Sequence, residues 1–243
     1  MINESGDSPL NDIKIGEITA TWSKANNLKT NYFITTDSTN TRAKKAAFEQ
    51  EELENEFVLY VADDQSQGRG RFERSWISPA AGCGLLSTWS FSVVNTPSPH
   101  ATAKVGMALY HAAKATWQFL PFSLKAPNDL YLGDKKIAGI LVETISQGAE
   151  HRLLVGIGFN VLSHPSGVAT STHLVKNLPR SAPLLGDDWI LFLDRFLFEL
   201  TLLVPSAHEE LNSTAEAKFV SLVNLNPLLE KKFTNFSEIV KIL

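Results

Sequence analysis

The densest chemistry in the chain is the stretch Gln65-Ser66-Gln67-Gly68-Arg69-Gly70-Arg71-Phe72-Glu73-Arg74-Ser75-Trp76. Glycines at 68 and 70 permit positive φ and close backbone approach. Arg69, Arg71 and Arg74 offer planar donor forks for phosphate or carboxylate. Trp76 adds a flat face that could stack on a base. The same composition also describes a solvated surface loop. RGG-type nucleic-acid binding is a third alternative, weakened by the single copy and by the acidic balance of the chain. There is no G-x-x-x-x-G-K-[ST] and no G-x-G-x-x-G between a strand and a helix, so neither a Walker loop nor a dinucleotide fingerprint is present.

Three further clusters follow. Lys125-Ala126-Pro127-Asn128-Asp129 precedes Asp134-Lys135-Lys136-Ile137-Ala138-Gly139-Ile140-Leu141-Val142-Glu143. Pro127 forces an extended Ala126, and Asn128 and Asp129 are turn formers that could also hold a ligand or a magnesium ion. Strict alternation would place Lys136 on one face with Ala138 and Ile140, as a strand-edge charge or as a site residue. Asp37-Ser38-Thr39-Asn40 reads locally as a helix N-cap. Gly156-Ile157-Gly158-Phe159-Asn160 is a strand that allows close backbone approach, with Asn160 either a polar site group or a turn residue.

Other chemistries are excluded. The six histidines show no H-x-x-x-H or H-E-x-x-H spacing, which argues against a hydrolytic zinc site. No G-x-S-x-G elbow occurs. The single cysteine, Cys83, rules out an intramolecular disulfide and suits a reducing cytosol.

The elements that must position these clusters are readable in outline. Residues 1–12 are polar and acidic and read as disordered. Ile13–Ser23 alternates in part and reads as a strand, followed by a polar turn and a short strand at Phe33–Thr35. Asp37 or Ser38 would cap a helix over Thr41–Glu54. Phe57–Ala62 reads as a buried strand, Asp63–Arg74 as a loop and Gly84–Val94 as a strand. Ala101–Phe119 has helical spacing. Leu130–Leu132 and Lys136–Ile145 form a hairpin about Gly133-Asp134, and Leu153–Leu162 is a strand. Asp187 would cap a helix to Leu203, and Glu209–Leu222 is helical. Helices interspersed with hairpin-linked strands indicate a mixed α+β domain rather than repeated βαβ units.

The 243 residues allow one sizeable domain, and 44% hydrophobic against 20% charged residues suffices for a core. Lys+Arg 22 against Asp+Glu 26 gives a net charge of -4, unlike a general polyanion binder. No apolar run approaches the roughly 18 to 20 residues of a membrane span, and the N-terminus lacks a signal-peptide pattern. The expectation is a cytoplasmic protein.

Taken in order, the four clusters resemble the biotin protein ligases, whose pattern runs D-S-T-N, Q-x-x-G-R-G-R-x-x-R-x-W, K-W-P-N-D, K-x-A-G-I-L-V-E and G-x-G-x-N. The resemblance covers roughly residues 30–205. It implies a mixed β-sheet with helices packed on one side, the catalytic fold shared with lipoate ligases. It implies a lead-in over residues 1–28, a catalytic domain over 29–205 and a C-terminal segment, 206–243, without the family's small β-barrel. It implies a monofunctional enzyme, with too short a lead-in for the winged-helix domain of the ligase-repressors and no operator binding.

The implied reaction joins biotin and ATP into biotinyl-5'-AMP and then passes the acyl group to a lysine of a biotin carboxyl carrier domain. The alternatives are a lipoate or octanoyl ligase and a biotin-binding module without transfer. ATP, Mg²⁺ and biotin are the small molecules implied, and a homodimer is common in the family. By position, Lys136, Arg69 and Arg71 would be the catalytic cations. Ser38, Thr39, Asn40, Gln65, Gly68, Arg69, Lys136 and Gly139 would bind biotin. Arg69, Arg71, Arg74, Trp76, Asn128, Lys136 and Asn160 would bind ATP, with Trp76 near the adenine. Asp129 would hold magnesium or position the incoming lysine. Meeting two anions requires this density of cations and donors. The chain departs from the pattern at Ala126, where the family has tryptophan. Phe72 and Phe159 are the large residues expected to fill that gap. Phe72-Glu73 also stands where the loop often continues Arg-Gly.

Overall fold

The computed structural model describes residues 14–241, so the expected disordered lead-in lies outside the described residues. A mixed seven-stranded sheet organises the chain, in the order β1-β2-β3-β7-β6-β5-β4. The strands are β1 Lys29–Thr36, β2 Phe57–Gln65, β3 Gly84–Val93, β4 Phe122–Lys125, β5 Asp129–Leu132, β6 Lys135–Gln147 and β7 Glu150–Asn160. β1 and β2 are parallel and every other neighbouring pair is antiparallel.

The main core lies on one face of the sheet. Leu59, Val61, Leu85, Trp89, Leu153, Val155, Ile157 and Phe159 point into it from alternating strand positions. Helices α1 (Ile15–Ala25), α4 (Ala101–Thr116) and α6 (Gly186–Leu203) cover it. The opposite face receives α2 (Thr39–Ala46) and the one-turn α3 (Gln50–Leu53). Ala43 packs there on Val58, Tyr60 and Leu154. The remainder of that second face is left open for the site.

Several expectations are corrected. Where a strand was expected over Ile13–Ser23, the described residues form a helix from Ile15, whose buried residues (Ile15, Gly16, Thr19, Ala20, Trp22 and Ser23) repeat with helical spacing. The helix expected over Thr41–Glu54 breaks in two. Glu49 is extended, and Glu52 turns inward to accept from Tyr60 Oη at 2.7 Å and Ser90 Oγ at 3.2 Å. Ser38 is the N-cap of α2 but makes no side-chain cap bond. Asp187 is not a cap; Leu185 is, and its N–H donates to Asp188. β2 runs on to Gln65. Strand β4 was not anticipated from the sequence.

The C-terminal residues form α7 (Ser213–Val223), α5 (Leu174–Asn177) having intervened before α6, and then α8 (Phe236–Val240). Among the described residues this segment contains no strand. Phe219, Val220, Val223, Phe236 and Ile239 join the main core.

Candidate functional site

A cavity of about 310 Å³ opens on the second face of the sheet. Its floor is made where β6 and β7 pair, with Gly139 opposite Gly158 and Leu141 opposite Gly156. Side chains are absent there for a steric reason. A Cβ on Gly156 would sit 2.1 Å from Asn40 Oδ1, and one on Gly158 would sit 2.4 Å from the Trp76 ring.

A β-bulge turns Lys136 onto this floor. Tyr131 pairs with Lys136 but Leu130 pairs with Ala138, so Ile137 is an extra residue. Ile137 and Ala138 therefore both enter the core, while Lys136 lies beside Gly139. The simple alternation that grouped Lys136 with Ala138 and Ile140 fails for that reason. Residues 170–172 also hold the Lys136 backbone. Lys136 N donates to Thr170 O and Thr172 N donates to Lys136 O, each at 2.9 Å. Lys136 Nζ lies 2.7 Å from Asp129 Oδ1 and 5.4 Å from the centre of the Trp76 ring. The contact with Asp129 is one of charge rather than an aligned hydrogen bond. Among the described residues, no group of three or more His, Cys, Asp or Glu is placed to hold a metal. Asp129, expected as a magnesium ligand or as a positioner of the incoming lysine, is engaged with Lys136.

The polar wall comes from the start of α2. Thr39 donates to Gln65 Oε1 through its N–H at 2.7 Å and its hydroxyl at 3.1 Å. Asn40 Oδ1 accepts from Thr88 Oγ1 at 2.6 Å. Asn128 Nδ2 donates to Ile140 O at 2.8 Å, which orders the turn before β5. Ser38 is buried at the rim, with its N–H on Asp37 at 2.8 Å. Asp37 is held below the usual carboxylate range, chiefly by that backbone bond.

The roof is the Gly-Arg stretch, which is a hairpin flap rather than an open loop. Arg69 and Ser75 form an antiparallel bridge, and Trp76 N donates to Gly68 O at 2.9 Å. The tip is a tight turn in which Arg74 N donates to Arg71 O at 3.1 Å. Both central residues, Phe72 at φ 52 and Glu73 at φ 59, occupy left-handed space, the arrangement for which Asn-Gly is preferred. Trp76 does not project outward as a free stacking platform; its ring lies on Gly139 and Gly158.

The arginines separate into two kinds. Arg69 grips Glu143 with both arms, at 2.9 and 3.0 Å. Its fork is therefore committed within the chain rather than presented to a ligand. Arg71 and Arg74 face no carboxylate at ion-pair distance among the described residues, and Arg71 Nη1 is a buried donor without an acceptor. Glu143 also accepts from Asn40 at 3.1 Å and lies 3.5 Å from Lys44. Burial acts to raise its pKa, but the bonds from Asn40 and Arg69 and the charges of Arg69 and Lys44 outweigh it and hold the carboxyl below its ordinary range.

Of the expected site residues, Ser38, Thr39, Asn40, Gln65, Arg69, Arg71, Arg74, Trp76, Asn128, Asp129, Lys136 and Gly139 line the cavity. Gly68 is buried at the flap base. Asn160 is not brought in; it is buried and donates to Thr172 O at 3.0 Å. The expected fillers of the Ala126 gap are elsewhere: Phe72 is 70% exposed at the flap tip, and Phe159 is in the core against Trp189 and Phe192. Sequence reasoning missed Thr88 and the roles of Glu143 and of the Thr170–Thr172 strap. Thr88 carries no distinct local signal, since β3 also holds Ser87, Ser90 and Ser92.

The comparisons with known proteins agree with this geometry. The Biotin/lipoate A/B protein ligase family matches residues 32–160. The biotin--[acetyl-CoA-carboxylase] ligase of Paracoccus denitrificans is 34% identical over 142 residues, 55% of this chain and 55% of that protein. The human biotin--protein ligase is 32% identical over 112 residues, 43% of this chain and 15% of its own length. The matched region thus spans about half or less of these curated relatives. The biotin protein ligase of Aquifex aeolicus, solved with biotin and ATP, superposes with a TM-score of 0.59 at 25% identity, covering 80% of this chain and 78% of that one. On the match to more than half of its residues, the chain belongs to the Biotin/lipoate A/B protein ligase family.

Proposed function

We propose that the chain is an ATP-dependent biotin protein ligase. The observation that supports this reading is a glycine-floored cavity lined by Lys136 from the sheet and by Arg71 and Arg74 from the flap that roofs it. A biotin carboxylate oxygen attacks the α-phosphorus of ATP, and pyrophosphate leaves. The ε-amine of a carrier lysine then attacks the acyl carbon, AMP leaves and the amide forms. Lys136 screens the two anions as they approach, and Asp129 keeps its ammonium oriented. Arg71 and Arg74 meet the phosphates. Ser38, Thr39 and Gln65 supply donors and acceptors for the ureido end of biotin, with Asn128 on the nucleotide side. Trp76 leaves the glycine floor and covers the bound ligand, which limits hydrolysis of the mixed anhydride.

The acceptor is a biotin carboxyl carrier domain, nucleic acid takes no part, and the reaction belongs in the cytoplasm, in keeping with the single free Cys83. Among the described residues no helix is long and apolar enough to cross a membrane. The sheet ends at β1 and β4, and pairing of two chains along one of these edges would give the homodimer common in the family.

The test is ATP-dependent transfer of labelled biotin to a purified carrier domain, run beside labelled lipoate and octanoate. Biotin-specific pyrophosphate release and carrier labelling are expected. Transfer of lipoate or octanoate instead would reassign the acyl group, and biotin binding without labelling would reduce the protein to a binding module.

A further inference from the structure

We propose that Glu143 is a positioning residue that holds the Gly-Arg flap over the cavity by pinning Arg69. The flap is joined to the body at its base, where Ser66 N and Gln67 N donate to Thr36 O and Asp37 O. Among the described residues, its far side has two attachments to the sheet. One is the Trp76 ring on the glycine floor, in the space that a ligand needs. The other is the two-armed bond from Arg69 to Glu143, 74 positions away in sequence. Ligand binding must displace the first and can leave the second in place.

Glu143 is suited to that task. It stands on β6 in step with Gly139 and Leu141, so it shares the site face without reaching the floor. Asn40 and Lys44 of α2 hold it from the other side. One carboxylate thus ties flap, helix and sheet together. Its side chain is 17% exposed and that of Arg69 39%, so the pair is shielded from water on the carboxylate side, where a two-armed contact is most directional. Glu143 touches no reacting atom in this arrangement.

The experiment has two arms. The first is limited trypsin digestion, which reads flap opening through cleavage after Arg71 and Arg74 and requires no activity. Glu143→Gln keeps the shape and the Asn40 contact but removes the charge, and should raise cleavage there at least fivefold. Glu143→Asp should restore part of the protection. The Arg69→Gln, Glu143→Gln double variant should be no more open than either single variant. Equal cleavage in wild type and Glu143→Gln, or multiplicative effects in the double variant, would overturn the proposal.

The second arm rests on the ligase reading. With biotin and ATP, Glu143→Gln should release pyrophosphate within threefold of wild type yet label lysines of added serum albumin at least fivefold more, as reactive adenylate escapes. Unchanged, negligible labelling would count against the pin. If wild type itself releases no pyrophosphate, it is the ligase reading that fails, while the digestion arm still decides the role of Glu143.

Discussion

At the scale of single residues, the site works by contrast between spent and unspent polar groups. Arg69 and Asp129 are already paired, whereas Arg71 holds a buried donor with nothing to accept it. A buried donor in that condition costs free energy that a hydrogen-bonded anion would relieve. Lys136 is the cation nearest the glycine floor, and its side chain is 31% exposed. Lys136→Ala should therefore leave folding intact. It should slow biotin-dependent pyrophosphate release on the order of a hundredfold, from the loss of about 3 kcal/mol of charge stabilisation. Release within threefold of wild type would remove Lys136 from the chemistry.

The flap tip makes a second residue-level prediction. Glu73 sits at φ 59, where a Cβ is strained and glycine is not. Glu73→Gly should relieve about 1 kcal/mol of strain at that position and slow tryptic cleavage at the tip. Faster cleavage would mean that the turn does not hold this conformation in solution.

At the scale of elements, the second face of the sheet is divided between a site and a strut. Beside the cavity, α3 is fastened by Arg152, which is 2% exposed. Its guanidinium donates to Ser90 Oγ at 2.9 Å and to the carbonyls of Glu52 at 3.0 Å and Asn55 at 3.2 Å, and lies 3.6 Å from the Glu52 carboxylate. Removing one partner of such a buried pair strands the other charge, at a cost of about 3–5 kcal/mol. Arg152→Ala should lower the melting temperature by roughly 10 °C at this chain length. Glu52→Gln added to it should recover part of that loss, because the stranded carboxylate is gone. A melting temperature unchanged by Arg152→Ala would mean that α3 is held by packing alone.

At the scale of the whole molecule, the helical C-terminal segment is part of the core rather than an appendage. Leu211 N donates to His100 Nδ1 at 2.9 Å, and Phe236 meets His100 and Phe219 edge-on. Stability should also depend on acid in a defined direction. His173 stacks on His164 with their Nδ1 atoms 2.7 Å apart. Burial, the His164 ring and Lys176 push the His173 pKa from 6.5 down to about 4. Between those two values the unfolded chain binds the proton and the folded one resists it, so stability is full above about pH 6.5 and is lost as pH falls towards 4. Asp37 and Glu143, with pKa values lowered in the fold, add to the loss further into acid. At this half-buried ring, solvent screening reduces the His173 contribution to about 1 kcal/mol. Melting temperatures of wild type and His173→Gln, taken from pH 8 to pH 4.5, should converge as pH falls. Parallel curves would take His173 out of the acid response.

The sequence by itself determined what is carried by neighbours along the chain. The period of α4 and α6, the β5–β6 hairpin about Gly133-Asp134 and the four ordered motifs were legible because each is written within one short continuous stretch of chain. The family followed from their order. Tertiary structure alone decided which way those residues face. An extra residue at Ile137, visible only in the pairing of β5 with β6, turns Lys136 from the core to the cavity. The two-armed bond to Glu143 decides which way the Arg69 fork faces. Hydrogen bonding to the Thr170–Thr172 strap hides Asn160. The short helix at Ile15–Ala25 was misread because its apolar residues fit both a period of two and a helical stripe, and only the surface of β1–β3 and α6 selects between them. Local periodicity sets the type of most elements, α1 excepted; strand register and cross-sheet contact fix their orientation, and the chemistry of this site depends on orientation.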